Sequence, residues 1–141
     1  MSATLILHCR EALIGFTGDT VTEPDPDRAG LTKPVAVGRF LAQFVASGKG
    51  RPEADLPRCQ SLALDLWSKE TIELGNSDVS LILACLKKAH ADGAVNAWVV
   101  GHFQYLLDPA GISPEIREKM AEHYLLKKPV VTAAVETKQS S

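Results

Sequence analysis

Apolar residues recur at helical spacing in five stretches between residues 32 and 127, and turns rich in glycine, proline or aspartate separate most of them. Spacings of three and four residues place such side chains on one face of a helix, which a globular chain buries against its neighbours. The clearest stretch is Val79, Ile82, Leu83 and Leu86. The pattern predicts a mainly α fold, a compact bundle of about five helices.

Capping residues and prolines mark where these helices begin, because both satisfy or remove the free N–H groups of a first turn. The expected starts are Thr32 as N-cap with Pro34 in the first turn, then Asp55, then Asn76 or Ser77, then about Val95 for a helix to Leu107, and finally Ser113 with Pro114.

The apolar faces of the helices define an expected core. The fourth helix has the widest apolar face and is predicted to be central, and a helix crossing closely at Gly101 would explain a glycine inside it. In the fifth helix Ile116, Met120 and Tyr124 are expected to face inward. The predicted core is Phe40, Leu41, Phe44, Leu62, Leu66, Trp67, Ile82, Leu83, Leu86, Trp98, Val99, Phe103 and Leu106.

Short β-prone segments lie at both ends of the chain. Thr4–Leu7 suits a strand or the start of a helix, Val130–Val135 suits a strand or an extended arm, and Thr71–Leu74 suits one short strand. Residues 20–30 contain two prolines among acidic residues, which excludes a helix or a central strand and predicts an exposed loop. The expected organisation is an N-terminal segment and acidic loop (1–31), a helical domain (32–127), and a C-terminal arm and polar tail (128–141).

Composition narrows the class of protein further. With 45% hydrophobic residues the chain can bury a core, and a net charge of -2 argues against nucleic acid or an anionic membrane as partner. The first apolar run is too short for a signal peptide, and no stretch has the ~20 apolar residues of a membrane helix. Three widely spaced cysteines, Cys9, Cys59 and Cys85, do not form a disulfide framework, which indicates a reducing compartment.

No residue pattern indicates catalysis or metal binding. The four histidines do not form the closely spaced pairs that zinc prefers, and Gly48 and Gly50 end a helix where a phosphate-binding loop would follow a strand. The chain also lacks the glycine–serine turn of a hydrolase nucleophile. We therefore expect no catalytic residue, no metal and no cofactor.

The third and fourth helices, joined by a tight turn, suit either a helix-turn-helix or an ordinary helical hairpin. A recognition helix exposes Arg, Lys, Asn or Gln to the major groove. The fourth helix offers Asn96 and Gln104 but no arginine or lysine, and its other side chains look buried. The hairpin is the favoured interpretation.

Residues 62–107 resemble small helical proteins of unassigned role from tailed bacteriophages and prophages. The matching residues are Leu62-Ala63-Leu64, Ile72-Glu73-Leu74, Asp78-Val79-Ser80-Leu81-Ile82, and Val99-Val100-Gly101 through Leu106-Leu107. The resemblance covers about a third of the chain and implies a phage context without a specific chemistry. The expected location is the host cytoplasm, or the virion if the protein is incorporated there.

Two classes of function remain after these exclusions. The first is a non-enzymatic structural or protein-interaction component of a phage particle or its assembly, which binds itself or other phage proteins. The second is a small phage regulator that binds nucleic acid or a host factor. In the first class β-prone ends would add strands to a neighbour, unless they pair with each other inside the molecule. The expected contact residues are Thr4, Leu5, Ile6, Leu7, Val130, Val131, Thr132 and Val135.

Overall fold

The computed structural model describes residues 5–15, 18–124 and 130–133. Within these ranges the chain forms five α-helices, a three-stranded antiparallel sheet and a separate two-stranded sheet. The mainly α expectation is therefore confirmed. In chain order the elements are β1 (Leu5–His8), β2 (Thr22–Pro24), β3 (Thr32–Pro34), α1 (Val37–Ser47), α2 (Leu56–Ser68), β4 (Thr71–Leu74), α3 (Asn76–Ala91), α4 (Ala97–Leu107), α5 (Pro114–Tyr124) and β5 (Val131–Ala133).

The main sheet has the order β4-β1-β5, with β1 antiparallel to both neighbours. Leu7 lies opposite Ile72 on β4 and Val131 on β5, and Leu7 is fully buried. Because side chains alternate along a strand, these residues share the face that packs on the helices. The sheet thus places the N-terminal strand inside the core.

Strands are not confined to the termini, which corrects the sequence interpretation at two places. Thr32–Pro34 is a strand, so Thr32 does not cap a helix; α1 begins five residues later. The acidic segment around Pro24 is also not simply a loop, because β2 pairs with β3 in a separate two-stranded hairpin. Proline is compatible with such an exposed strand because its missing N–H is needed only in a central one.

The start of α1 is capped by backbone from the end of β1. Its N-cap, Ala36, has no side-chain acceptor, but the N–H groups of Val37 and Gly38 donate to the carbonyl oxygens of Glu11 and Cys9, at 2.9 and 2.8 Å. First-turn N–H groups have no partner within their own helix, so these bonds satisfy them. The same contact brings α1 against β1 and α2.

Most of the predicted core is confirmed. Six of its members are buried and five others, partly buried, pack against them. Trp98 is half-buried, and Trp67 is 50% exposed, which contradicts its predicted place in the core. The fully or nearly buried members are Leu41, Leu66, Ile82, Leu83, Leu86 and Phe103.

The extent to which α3, α4 and α5 are buried also differs from expectation. The most buried helix is α3, with seven buried residues against three for α4. No residue of α5 is buried, and Ile116 is 53% exposed. Among the described residues, no atom of another element would lie within 4 Å of a Cβ added at Gly101, so none of the described helices crosses closely there. Periodicity identified each helix but not its depth.

The start signal expected for α5 is present in the structure, and α3 and α4 begin within two residues of their expected starts. Asn96 Oδ1 accepts a hydrogen bond from the Val99 N–H at 3.1 Å, and the Ser113 hydroxyl accepts one from Ile116. At α3 the N-cap is Gly75, one residue before the expected cap, and Asp78 accepts from its N–H at 3.1 Å. None of the helices within the described ranges is long and apolar enough to cross a membrane.

Candidate functional site

The terminal segments, expected to contact partners, pair with each other inside the molecule. Leu5, Ile6 and Leu7 belong to the central strand, whose two edges are occupied by β4 and β5. Val131 and Thr132 lie on β5, and Val130 is buried. Thr4 and Val135 lie outside the described residues. Internal pairing, the alternative left open by the sequence, is therefore present for the described part of both segments.

A different surface carries exposed apolar side chains, and it lies on α2. This helix buries Cys59, Ala63 and Leu66 on one face. On the adjoining face Leu64 is 63% exposed and Trp67 is 50% exposed. Large apolar side chains that cluster on a surface mark contact sites more often than isolated ones do.

An apolar groove runs between α1 and α2 beside these two residues. Its volume is about 340 Å³, near the lower limit for pockets that bind small ligands or side chains. Three of the lining residues are alanines, Ala42, Ala46 and Ala63. The apolar groove is lined by Ala42, Gln43, Ala46, Gln60, Ala63, Leu64 and Trp67.

A basic cleft of about 400 Å³ begins on the other side of Trp67. Its charged lining consists of four basic residues and one acid, opposite in sign to the net charge of the whole chain. The charged residues are Arg10, Lys33, Arg39, Lys69 and Glu23. Trp67 lines both cavities, so the apolar groove and the basic cleft form one continuous surface.

The cations of the basic cleft differ in how far they are already neutralised. Arg10 pairs with Glu70 at 3.6 Å and Lys69 with Asp65 at 3.5 Å, in exposed ion pairs that are worth at most about 1 kcal/mol. The Arg39 guanidinium instead lies 4.7 Å from the centre of the Trp67 ring. Arg39 and Lys33 have no carboxylate within ion-pair distance among the described residues, so these two cations are the most available to an incoming anion.

A second candidate site is a cluster of rings between α4 and α5. The Trp98 ring stacks on His102 at 5.9 Å and meets His123 edge-on at 5.1 Å. His102 is 1% exposed, and its Nδ1 is hydrogen-bonded to the Tyr124 hydroxyl. His102 Nε2 has no hydrogen-bond partner in the described part of the chain. The hydrogen bond between His102 and Tyr124 links α4 to α5.

Burial shifts the pKa values of two residues of this cluster, His102 and Tyr124. It lowers the pKa of His102 from 6.5 to about 4, with a smaller contribution from His123. Burial, followed by the neighbouring Tyr105, raises the pKa of Tyr124 above its usual value. Both groups are therefore neutral near pH 7, and the shielded imidazole serves to hold α5 against α4 rather than to exchange protons with solvent.

The cysteines are placed as inert core residues. All three are free and buried. Burial, followed by the charge of Asp65, raises the pKa of Cys9 to about 11, and burial followed by Cys59 does the same for Cys85. Because the thiolate is the reactive form, neither is poised as a nucleophile. Within the described ranges, no group of three potential metal ligands lies together.

Comparison with known proteins gave no match: no family model, curated protein or solved structure is significantly similar to this chain. The candidate surface therefore stands on its own geometry and chemistry.

Sequence reasoning missed this surface because it assigned Trp67 to the buried face of α2. A signal was present, however. Cys59, Ala63 and Leu66 follow helical spacing on one face, while Gln60, Leu64 and Trp67 repeat the same spacing one residue further on. A helix with apolar side chains on two adjoining faces must pack against a second neighbour, or one of the two faces stays exposed to solvent.

Proposed function

We propose that this chain is a protein-interaction component that binds a partner segment in the apolar groove and basic cleft of α1 and α2. The segment has an apolar side chain with carboxylates beside it. The observation that carries the proposal is the position of Trp67, half-exposed between an apolar groove and a cleft lined by four basic residues.

The apolar half of the surface supplies affinity. Binding free energy at protein interfaces is concentrated in a few central residues, among which tryptophan and arginine are the most enriched. Trp67 and Leu64 already expose large apolar areas to water, and Arg39 is held over the indole ring. A leucine or phenylalanine side chain in the apolar groove would remove this area from water.

The basic half supplies orientation and specificity. Complementary charge across an interface speeds association and excludes partners of the wrong sign. A carboxylate that enters the basic cleft can take a two-pronged hydrogen bond from Arg39, for which a guanidinium is suited. Because the cations lie at one end only, the carboxylates must lie on that side of the apolar side chain.

The resemblance of residues 62–107 to small phage proteins supports a place for this binding in a bacteriophage particle or its assembly. Those residues include all of α3 and α4 and the second half of α2, with the exposed pair Leu64 and Trp67. A structural or assembly role would use the surface to hold another phage protein. The regulator of the second class would instead use the basic cleft for nucleic acid or a host factor.

The proposal is tested by fluorescence anisotropy with labelled short peptides. In the first peptide a leucine is followed by aspartates, and in the second the aspartates are replaced by lysines. We expect the first peptide to bind, the second not to bind, and binding to weaken as salt screens the charges. Trp67→Ala should weaken binding at least about tenfold.

A matched control separates the surface from general effects of the substitution. Ile116→Ala removes an equally exposed apolar side chain from α5 and should change binding less than about twofold, as expected for a residue outside the interface. Equal losses in both variants would contradict the proposed surface. Binding of duplex or single-stranded DNA in place of the acidic peptide would overturn the proposal in favour of the regulator.

A further inference from the structure

The hairpin arm, residues 22–34 with β2 and β3, contributes nothing to the core of its own molecule. None of its residues is buried. Its base is fixed to the body by two backbone hydrogen bonds: the Val21 N–H donates to the Leu13 carbonyl oxygen at 2.8 Å, and the Leu13 N–H donates to the Val35 carbonyl oxygen at 2.9 Å. An ordered hairpin without buried residues is available to contact another molecule.

The arm tip, residues 25–31, has the chemistry that the proposed surface selects. It presents the carboxylate of Asp27 and the side chain of Leu31, which is 51% exposed. The N–H of Asp25 donates to the Leu31 carbonyl oxygen at 2.9 Å, so Asp25 and Leu31 lie side by side, with Asp27 two residues further along the tip. Asp25 is partly neutralised by Arg28 at 3.6 Å, which leaves Asp27 as the main free charge.

The arm is also stiff. Pro24 and Pro26 restrict the backbone before the tip, and Asp25 Oδ1 accepts a hydrogen bond from the Asp27 N–H at 2.9 Å. A segment that is ordered before binding loses less conformational entropy when it docks. The tip is therefore a better ligand than a flexible acidic loop of the same composition.

The tip of one molecule is placed for the basic cleft of another molecule rather than for its own. Glu23, Lys33 and Pro34, at the base of the arm, already form one wall of the cleft. Residues 25–31 are not among the residues that line it. Since arm and cleft adjoin, two molecules related by a twofold axis can each insert a tip into the cleft of the other.

We infer that a second copy of this chain is an occupant of the proposed surface, with Asp27 of the tip in the basic cleft and Leu31 against Trp67. The inference rests on the proposed function, because it uses the same surface, and adds that the chain forms a reciprocal dimer. The dimer closes, since each copy offers one tip and one cleft.

Charge exchange between two variants tests this contact. Arg39→Glu places a carboxylate in the cleft, and Asp27→Arg places a cation on the tip. In sedimentation velocity each variant alone should dimerise at least about tenfold more weakly than the unaltered protein, because like charges then face each other. An equimolar mixture should form the dimer again, with one native and one reversed pair.

Two controls use exposed residues away from the surface. Lys87→Glu on α3 and Glu122→Arg on α5 make the same changes of charge and should leave the dimer unchanged. Circular dichroism checks that every variant is folded, as expected for exposed positions.

Three results would overturn the inference: a protein that stays monomeric at all concentrations, single variants that dimerise as before, or a mixture that does not recover. The leucine–aspartate peptide is titrated in parallel. A monomeric protein that binds the peptide leaves the proposed function standing and removes only the second copy as its occupant. A protein that does neither contradicts both.

Discussion

The junction of β1, α1 and α2 and the contact between α4 and α5 are held together in different ways. At the junction, Gly38 allows backbone to approach backbone, and a Cβ there would lie 2.5 Å from Cys9 Cβ and closer still to the Leu66 carbonyl oxygen. Between α4 and α5, rings and one buried hydrogen bond make the contact, and no residue of α5 is buried. The first contact depends on shape, and the second depends on protonation.

This difference bears on function because the candidate surface adjoins the close contact. The basic cleft is lined by Cys9, Leu66 and Trp67, so its walls belong to the junction that Gly38 makes possible. A docking surface is most selective when the elements that support it are rigid. The α4–α5 contact can weaken with pH without moving the walls of the cleft.

The largest effect is expected from a pair of glycine substitutions. Gly38→Ala should lower the free energy of unfolding by about 3 kcal/mol or more, because the added methyl meets backbone atoms that cannot rotate away. Gly101→Ala should raise it by about 0.5–1 kcal/mol, because the methyl enters open space and alanine favours a helix. Denaturant unfolding of both variants measures the difference. Similar values at the two positions would mean that the junction is not close-packed.

The next effect is a loss of stability in acid that depends on His102. Its pKa is about 4 in the folded protein and 6.5 when exposed, so unfolding takes up a proton between these values. The free energy of unfolding should therefore fall as the pH falls from 6.5 to 4, and His102 should contribute about 3 kcal/mol of this loss. Above pH 6.5 the protonation of His102 should no longer affect the free energy of unfolding. In His102→Gln the acid loss should be smaller by that amount. Identical pH profiles would contradict a buried neutral imidazole.

The smallest effect is expected from removing the hydrogen bond between α4 and α5. Tyr124→Phe removes the hydroxyl that bonds to His102 and leaves the buried Nδ1 without that partner, at a cost of about 1–2 kcal/mol. Amide hydrogen exchange should become faster in α5 and stay unchanged in α1, because the junction does not share this bond. Faster exchange throughout the molecule would instead show that both contacts belong to one cooperative unit.

Sequence periodicity predicted the helices well because the spacing of apolar residues reports local geometry. The stripe of α3 and the cap of α5 at Ser113 are local features that the sequence predicts, and the structure has them. What each helix packs against is a long-range property. Within the described part of the fold a Cβ at Gly101 would enter open space, which contradicts the expected close crossing, whereas the glycine at the close contact is Gly38.

The candidate surface was predictable only in part. The second apolar face of α2 can be recognised from the spacing of Leu64 and Trp67. The basic cleft cannot, because Arg10, Lys33, Arg39 and Lys69 come from four separate segments that the fold brings together. The β-prone segments at the termini pair with each other as β1 and β5, and β1 also pairs with β4, which local sequence cannot reveal.

The most direct test of the central claim uses Trp67 as its own reporter. The chain has two tryptophans, and Trp98→Phe keeps a ring in the α4–α5 cluster while leaving Trp67 as the remaining fluorophore. Acrylamide quenching is measured with and without saturating leucine–aspartate peptide. We predict that quenching falls several-fold when the peptide binds, because the exposed half of the indole becomes covered. Unchanged quenching with the peptide demonstrably bound would place the contact elsewhere and contradict the assignment of this surface.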